Sequence, residues 1–215
     1  MATRTRFVFL MHPKEYKREK AATGRLTHLC LANSEIQVGV GFDDHEAVQR
    51  LIAAPENFPV LLYPGENAHD LSQGGLTADT LQGRRLVVFL LDATWSCARK
   101  MLRVSPTLQR LPRVKFAASG RSRYRIKRQP QDGCLSTLEA THELLSALAA
   151  SGLDHYEDPT QLLGLFERMQ IFQIRCASQS TGPRHGGRAA RDPAVRDNTS
   201  AQPRGESARR RRYLK

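Results

Sequence analysis

Up to about residue 176, short runs of consecutive apolar residues alternate with segments whose apolar residues recur every three or four positions. The first pattern suits strands buried on both faces, the second amphipathic helices. Arg6–Met11 reads as a buried strand, Leu26–Ala32 as a short helix and Ile36–Val40 as a second extended segment. From Asp44 to Ala54 the spacing sets Val48, Leu51 and Ile52 on one helical face, with Asp43 or Asp44 as the N-cap. Phe58–Tyr63 is an apolar strand that stops at Pro64-Gly65. Leu86–Leu91 is the most apolar strand and ends at Asp92.

Thr94 is suited to cap a helix running to about Val104, with Trp95, Ala98, Met101 and Leu102 facing inward. Val114–Ala117 reads as another strand. Leu135–Ala150 reads as a helix with Leu138, Leu144, Leu145 and Leu148 on its apolar side. A last helix is predicted over Thr160–Arg175, capped by Asp158 or Thr160, with Pro159 at its start. Strands between helices, with no internal repeat, predict an α/β fold: a mainly parallel sheet flanked by helices on both faces. Ligands of such sheets lie beyond the carboxyl ends of the strands. Chemistry is therefore expected just after Tyr63, after Leu91 and before the Leu135 helix.

Composition changes this picture near Ser178. Residues 177–215 carry ten Arg or Lys against three acidic residues, which is +7 of the chain's net +12. They hold almost no large apolar residue, so they cannot offset their ordering entropy. The expected organisation is one domain over residues 1–176 and a disordered Arg-rich tail over 177–215. The tail is either a non-specific phosphate grip at Arg209–Arg212, a solubilising extension or an over-run of the reading frame.

Charge points to a polyanionic partner. Between Ala93 and Gln131 there are eleven Arg or Lys and no Asp or Glu. A solvated face normally mixes signs, so this run reads as a footprint for a phosphate backbone. Tyr124, in its midst, is placed to stack on an unpaired base. The candidate RNA-binding residues are Arg25, Arg99, Lys100, Arg103, Arg121, Arg123, Tyr124, Arg125, Lys127 and Arg128. No apolar run approaches the roughly 18–20 residues of a membrane span, and Phe7–Met11 is too short for a signal-peptide core. A cytoplasmic protein without a membrane partner is expected. Cys30, Cys97, Cys134 and Cys176 lack zinc-pair spacing and read as buried reduced thiols, so no metal is expected.

Three short segments carry candidate chemistry. Asp92 leaves the sheet at the end of its most buried strand, as a base would, or merely caps the next helix. Trp95, the sole tryptophan, either stacks on a flat ring or belongs to the core. Ser136-Thr137-Leu138-Glu139 has the form of a capping box, and its helix start also offers free N–H groups to a ligand carboxylate. The Pro64-Gly65 turn ends a strand and permits close approach of a ligand to the backbone.

Taken together these segments resemble a known family. Asp92-Ala93-Thr94-Trp95 looks like the D-x-T-W signature of the DTW-domain family, continued by Ser96-Cys97-Ala98-Arg99-Lys100-Met101. Further segments that match are His12-Pro13-Lys14-Glu15, Thr23-Gly24-Arg25-Leu26 and Tyr63–Ala68. The resemblance closes with Tyr124-x-x-Lys127-Arg128-x-Pro130 and Leu135-Ser136-Thr137-x-Glu139-Ala140. It covers about residues 5–172. Family members often begin with a cysteine-rich zinc-binding segment, which these four cysteines do not replace.

The resemblance implies a SPOUT-like knotted fold and transfer of the 3-amino-3-carboxypropyl group of S-adenosylmethionine to N3 of a tRNA uridine, releasing methylthioadenosine. It implies tRNA, not DNA, as partner, with a monomer and a homodimer both open. On this basis Asp92, Thr94 and Trp95 are the expected catalytic group, with Asp92 as the base and Thr94 supporting it. Tyr63, Pro64, Gly65, Glu66, Leu135, Ser136, Thr137 and Glu139 are expected to hold the cofactor. Arg25, Arg125 and Arg128 suit either the cofactor carboxylate or phosphates. A SPOUT-type RNA methyltransferase and a non-catalytic RNA-binding protein are the rival readings.

Overall fold

Strands β1 (Arg6–Met11), β3 (Asn57–Leu62) and β5 (Arg85–Asp92) hold the apolar runs, and they lie side by side because only a sheet covered on both faces can bury them. The computed structural model describes residues 1–18, 21–117, 120–126 and 134–179. Its strands form one six-stranded sheet in the order β2-β1-β5-β3-β6-β4, with β2 at Ser34–Val38, β4 at His69–Asp70 and β6 at Arg113–Lys115. Every described pairing is parallel. Pro59, which has no N–H to give, falls where β3 still has β5 alone beside it; β6 joins only at Leu61.

Side-chain alternation along the strands divides the core in two. On one face Phe7, Phe9, Val60, Val88 and Leu90 pack against α7 (Thr137–Ala150) and α8 (Pro159–Gln179), through Leu138, Leu144, Leu145, Leu148 and Phe166. On the other, Val8, Leu10, Leu61, Val87 and Phe89 meet Val48 of α3 (Glu46–Ala53), Met101 and Leu102 of α5 (Trp95–Arg103) and Leu108 of α6 (Pro106–Gln109). Helices α1 (Pro13–Arg18) and α2 (Thr23–Cys30) connect β1 to β2, and α4 (Ala78–Leu81) precedes β5. The expected α/β architecture with a parallel sheet flanked by helices is what forms.

Several local expectations are corrected. His45, not Asp43 or Asp44, occupies the start of α3, because Asp43 Oδ1 instead accepts the Thr107 N–H at 3.0 Å and ties the chain to α6. Thr94 stands at the N-cap of α5 without capping it; its hydroxyl lies 3.3 Å from Ser96 Oγ. Asp158 does cap α8, accepting the Thr160 N–H at 3.0 Å and hydroxyl at 2.6 Å, and these bonds hold its carboxyl below the usual range. The helix is longer than its apolar period, continuing to Gln179 past the composition change. Residues 180–215, with most of the expected tail, lie outside the described residues. None of the four cysteines is buried; Cys176 is exposed on α8 and the others are half-buried. No helix is long and apolar enough to cross a membrane, among the described residues.

Two polar contacts, one buried and one half-buried, hold the β1 face together. Asp154, 3% exposed, accepts the Arg4 N–H at 2.8 Å and the Thr5 N–H at 2.9 Å, fastening the segment before β1 to the turn after α7. His142 Nδ1 lies 2.9 Å from the Tyr156 hydroxyl, joining α7 to the approach of α8. Burial lowers the His142 pKa below its ordinary 6.5. Asp154→Ala leaves the buried Thr5 N–H and the part-buried Arg4 N–H without their acceptor, so a loss of about 1–3 kcal/mol is expected in urea unfolding at pH 7.5. For His142 the unfolded chain binds more protons than the folded one below about pH 6.5, so stability is full above that pH and falls as pH drops through it. The urea midpoint of the native chain should therefore fall more between pH 7.5 and 5.5 than that of His142→Gln.

Candidate active site at the carboxyl ends of the strands

Asp92 is the last residue of β5 and pairs in register with Met11, the last of β1. Its carbonyl accepts the His12 N–H at 3.0 Å, so the chain leaves both strands at the same level. His12 in turn takes the Lys14 N–H on Nδ1 at 3.1 Å as α1 begins. The Asp92 carboxylate then meets two helix starts. Gly24, in the first turn of α2, lies so close that a Cβ built on it would stand 2.6 Å from the carboxyl carbon. Thr137, the first residue of α7, donates its hydroxyl to Asp92 Oδ1 at 2.6 Å. Asp92 is 6% exposed. A buried carboxylate at two helix N-termini sits where the backbone dipoles favour negative charge.

Above this pair lies a cleft of about 260 Å³. Its walls come from the ends of three neighbouring strands: Leu62-Tyr63-Pro64 after β3, Leu90, Leu91 and Ala93 around the end of β5, and Val114-Lys115-Phe116 from β6. Leu135, Thr137 and Ala140 close it from the start of α7. The Tyr63 and Trp95 rings stand 6.5 Å apart and tilted, and the Arg113 guanidinium lies 5.5 Å from the Tyr63 ring centroid. Lys115 supplies the charge on the walls. Thr137 lines the cleft, while the Asp92 carboxylate lies behind it and is not among the lining residues.

Glu139 connects this cleft to the basic segment. One carboxylate oxygen completes the α7 capping box, taking the Ser136 N–H at 2.9 Å and hydroxyl at 2.7 Å, and also accepts the Ser122 hydroxyl at 2.8 Å. The other accepts the Arg123 N–H at 2.6 Å. Buried Gln170 of α8 accepts the Arg125 N–H at 2.6 Å. The backbone of 122–125 is thus pinned by two buried side chains, leaving Arg121, Arg123 and Arg125 exposed.

A family model described as the DTW domain matches residues 1–174. The chain belongs to the DTW-domain family. Its sequence is 35% identical over 152 residues to tRNA-uridine aminocarboxypropyltransferase 2 of Drosophila melanogaster, covering 68% of this chain and 57% of that protein. It is 29% identical over 180 residues to the Mus musculus protein of the same name, covering 81% and 59%. This chain therefore spans under two thirds of the length of those relatives. No solved structure matches it.

With the DTW signature placed, the expected residues sort by position. Tyr63, Pro64, Trp95, Leu135 and Thr137 come together around the cleft. Trp95 is 38% exposed there and not in the core, because its place on the first turn of α5 leaves it at the mouth of the sheet. Glu66 is exposed away from the walls, and a Cβ on Gly65 would meet Arg113 at 3.0 Å. Ser136 and Glu139 are committed to the capping box. Tyr124 packs edge-on against Phe166, with centroids 5.1 Å apart, and is half-buried there instead of standing free for stacking.

Arg25 lies over the Tyr16 ring at 4.1 Å and donates Nη2 to the Tyr16 carbonyl at 2.7 Å. Arg99, Lys100 and Arg103 are exposed on α5. Lys127 and Arg128 lie outside the described residues. Among the described residues no group of His, Cys, Asp or Glu is arranged to hold a metal ion. Residues that reading the sequence missed are Lys115 and Phe116. The rule that directs attention beyond the strand ends applies to Val114–Ala117 as well, and would have found them. Gly24→Ala tests the packing around Asp92. Alanine normally stabilises a helix over glycine by about 0.5–1 kcal/mol. Here the methyl group must displace the carboxylate, so a loss of about 1–3 kcal/mol is expected in urea unfolding.

Proposed function

We propose that this chain transfers the 3-amino-3-carboxypropyl group of S-adenosylmethionine to N3 of a uridine in tRNA, releasing methylthioadenosine. The observation that carries the reading is the cleft beyond β3, β5 and β6, with a buried carboxylate hydrogen-bonded to one of its walls, in a chain of the DTW-domain family. The names of the fly and mouse relatives support it.

The residues present fit the cofactor. Leu62, Leu90 and Ala140 offer an apolar surface for a flat heteroaromatic ring, with Tyr63 and Trp95 beside it. Lys115 is the cation for a carboxylate, aided by the positive end of the helix dipole at the start of α7. When bound, S-adenosylmethionine supplies a sulfonium-activated carbon as electrophile. The walls must orient that carbon toward N3 and turn the methyl group away, since orientation selects between the two. Uridine N3 is held by an acidic proton, and we assign its acceptance to the Asp92 carboxylate, general-base help typically worth about 10²–10⁴ in rate. Arg121, Arg123 and Arg125, on or beside the pinned backbone of 122–125, are the proposed phosphate contacts, with Arg25, Arg99, Lys100 and Arg103 as further candidates; Lys127 and Arg128 are proposed from the sequence alone.

In this reading residues 1–176 form the cofactor-dependent core, a SPOUT-class fold whose C-terminal part is knotted around the cofactor, and the enzyme acts in the cytoplasm. The all-parallel sheet and the cleft against the start of α7 support that class.

The test is to incubate the chain with unmodified tRNA and S-adenosylmethionine and to weigh the nucleosides by mass spectrometry. A uridine heavier by one aminocarboxypropyl group is expected. A methyl-sized gain would assign the chain to the methyltransferases, and bound but unchanged tRNA would leave an RNA-binding protein. Asp92→Asn is expected to lower transfer by about 10²–10⁴, with calorimetric affinity for S-adenosylmethionine little changed. Near-normal transfer would remove Asp92 as the base.

A further inference from the structure

We infer that Thr137, and not Asp92, is the group that touches the uridine, with Asp92 acting through it as a positioning and proton-accepting partner. The inference rests on the function proposed above and concerns how its base is delivered. A base that abstracts a proton directly must come within hydrogen-bond reach of it, about 2.6–3.2 Å, or act through one intermediary. Asp92 is 6% exposed and does not line the cleft. The Gly24 backbone lies against Oδ2, and the Thr137 hydroxyl donates to Oδ1 at 2.6 Å. Thr137 does line the cleft. The hydroxyl therefore stands between the carboxylate and any ligand in that space.

A threonine hydroxyl has one proton to give and lone pairs to accept with. Its proton is spent on Asp92, which aligns an acceptor lone pair on Oγ1 for a donor in the cleft. The N3–H of a uridine is such a donor. In the step that follows, the N3 proton passes to Thr137 Oγ1 while the Thr137 proton passes to Asp92 Oδ1. The N3 electron pair so freed forms the nitrogen–carbon bond, and the carbon–sulfur pair leaves with the neutral thioether. Thr137 ends the step with its proton count unchanged and Asp92 carries one proton more, so charge and atoms balance.

The same geometry explains why the first helical residue carries the hydroxyl. The Ser136–Glu139 capping box fixes where α7 starts, and with it where Thr137 Oγ1 lies. Threonine holds χ1 more tightly than serine, because both branches of Cβ must find room. Its own methyl group is therefore part of the aim, and the hydroxyl is the part that reacts.

The experiment compares Thr137→Val, Thr137→Ser, Asp92→Asn and the native chain in single-turnover transfer to unmodified tRNA. S-adenosylmethionine affinity by calorimetry and the unfolding temperature are read alongside. Valine keeps the branched shape and removes only the hydroxyl. Relay through Thr137 predicts that Thr137→Val falls to within tenfold of Asp92→Asn with cofactor affinity near native, and with an unfolding temperature lowered by the loss of the donor to the buried carboxylate but still above the assay temperature. It also predicts that Thr137→Ser recovers at least tenfold over Thr137→Val. A Thr137→Val chain more than tenfold faster than Asp92→Asn would overturn the relay and leave Asp92 acting directly. Failure of serine to recover activity would also overturn it, since a hydroxyl restored at this position would then not restore the transfer. If the native chain forms no aminocarboxypropyluridine, the proposed function fails and the relay falls with it.

Discussion

A single hydrogen bond, from the Thr137 hydroxyl to Asp92 Oδ1, joins the end of the central strand to the first turn of α7. Most of what surrounds it is arranged so that this bond can form. The register of β1 with β5 brings Asp92 to the rim beside Met11 and His12. Glycine at position 24 lets α2 start against the carboxylate, where a Cβ would not fit. The capping box sets the first residue of α7, and Leu138, Leu144, Leu145 and Leu148 seat that helix on the sheet. A buried carboxylate without such a donor would be costly, because desolvation penalises its charge.

The cleft and the basic segment are parts of one mechanical unit. Glu139 accepts from both the α7 start and residues 122–123, so the two cannot shift independently without losing charge-assisted bonds. Gln170 does the same from α8 at Arg125. Exposed arginines on a backbone fixed in this way lose less freedom on meeting a phosphate than arginines on a loose loop would. The arginines proposed to meet phosphates and the candidate cleft are thereby kept in constant relation without either being on a regular element alone.

Much of the fold was legible because its signals are local. Consecutive apolar residues at Phe7–Met11 and Leu86–Leu91 can be buried only in a covered parallel sheet, and Ser136-x-x-Glu139 marks a helix start by chemistry within four residues. The misses have a common cause. Asp43 looked like a cap for α3, but the N–H of Thr107, far along the chain, claims it. Trp95 looked like core by helical spacing with Ala98 and Met101, yet the helix begins at the mouth of the sheet, where its first turn has nothing above it. Tyr124 looked free among arginines, and Phe166 of α8 takes its ring.

By itself the amino-acid sequence determined the long strands and helices and that Asp92 and Trp95 stand at a strand end and Ser136–Glu139 at a helix start, but not the short elements α1, α4, α6 and β4. Those follow from periodicity and from short-range capping chemistry, which act over a few residues. The tertiary structure alone decided that Thr137 stands between Asp92 and the cleft, that Gly24 leaves room for the carboxylate, and that Glu139 grips residues 122–123. Each of these is a contact between residues far apart in the chain, 45 positions in the case of Thr137 and Asp92. Such contacts are set by strand register and helix seating together, and no local stretch of residues contains that information.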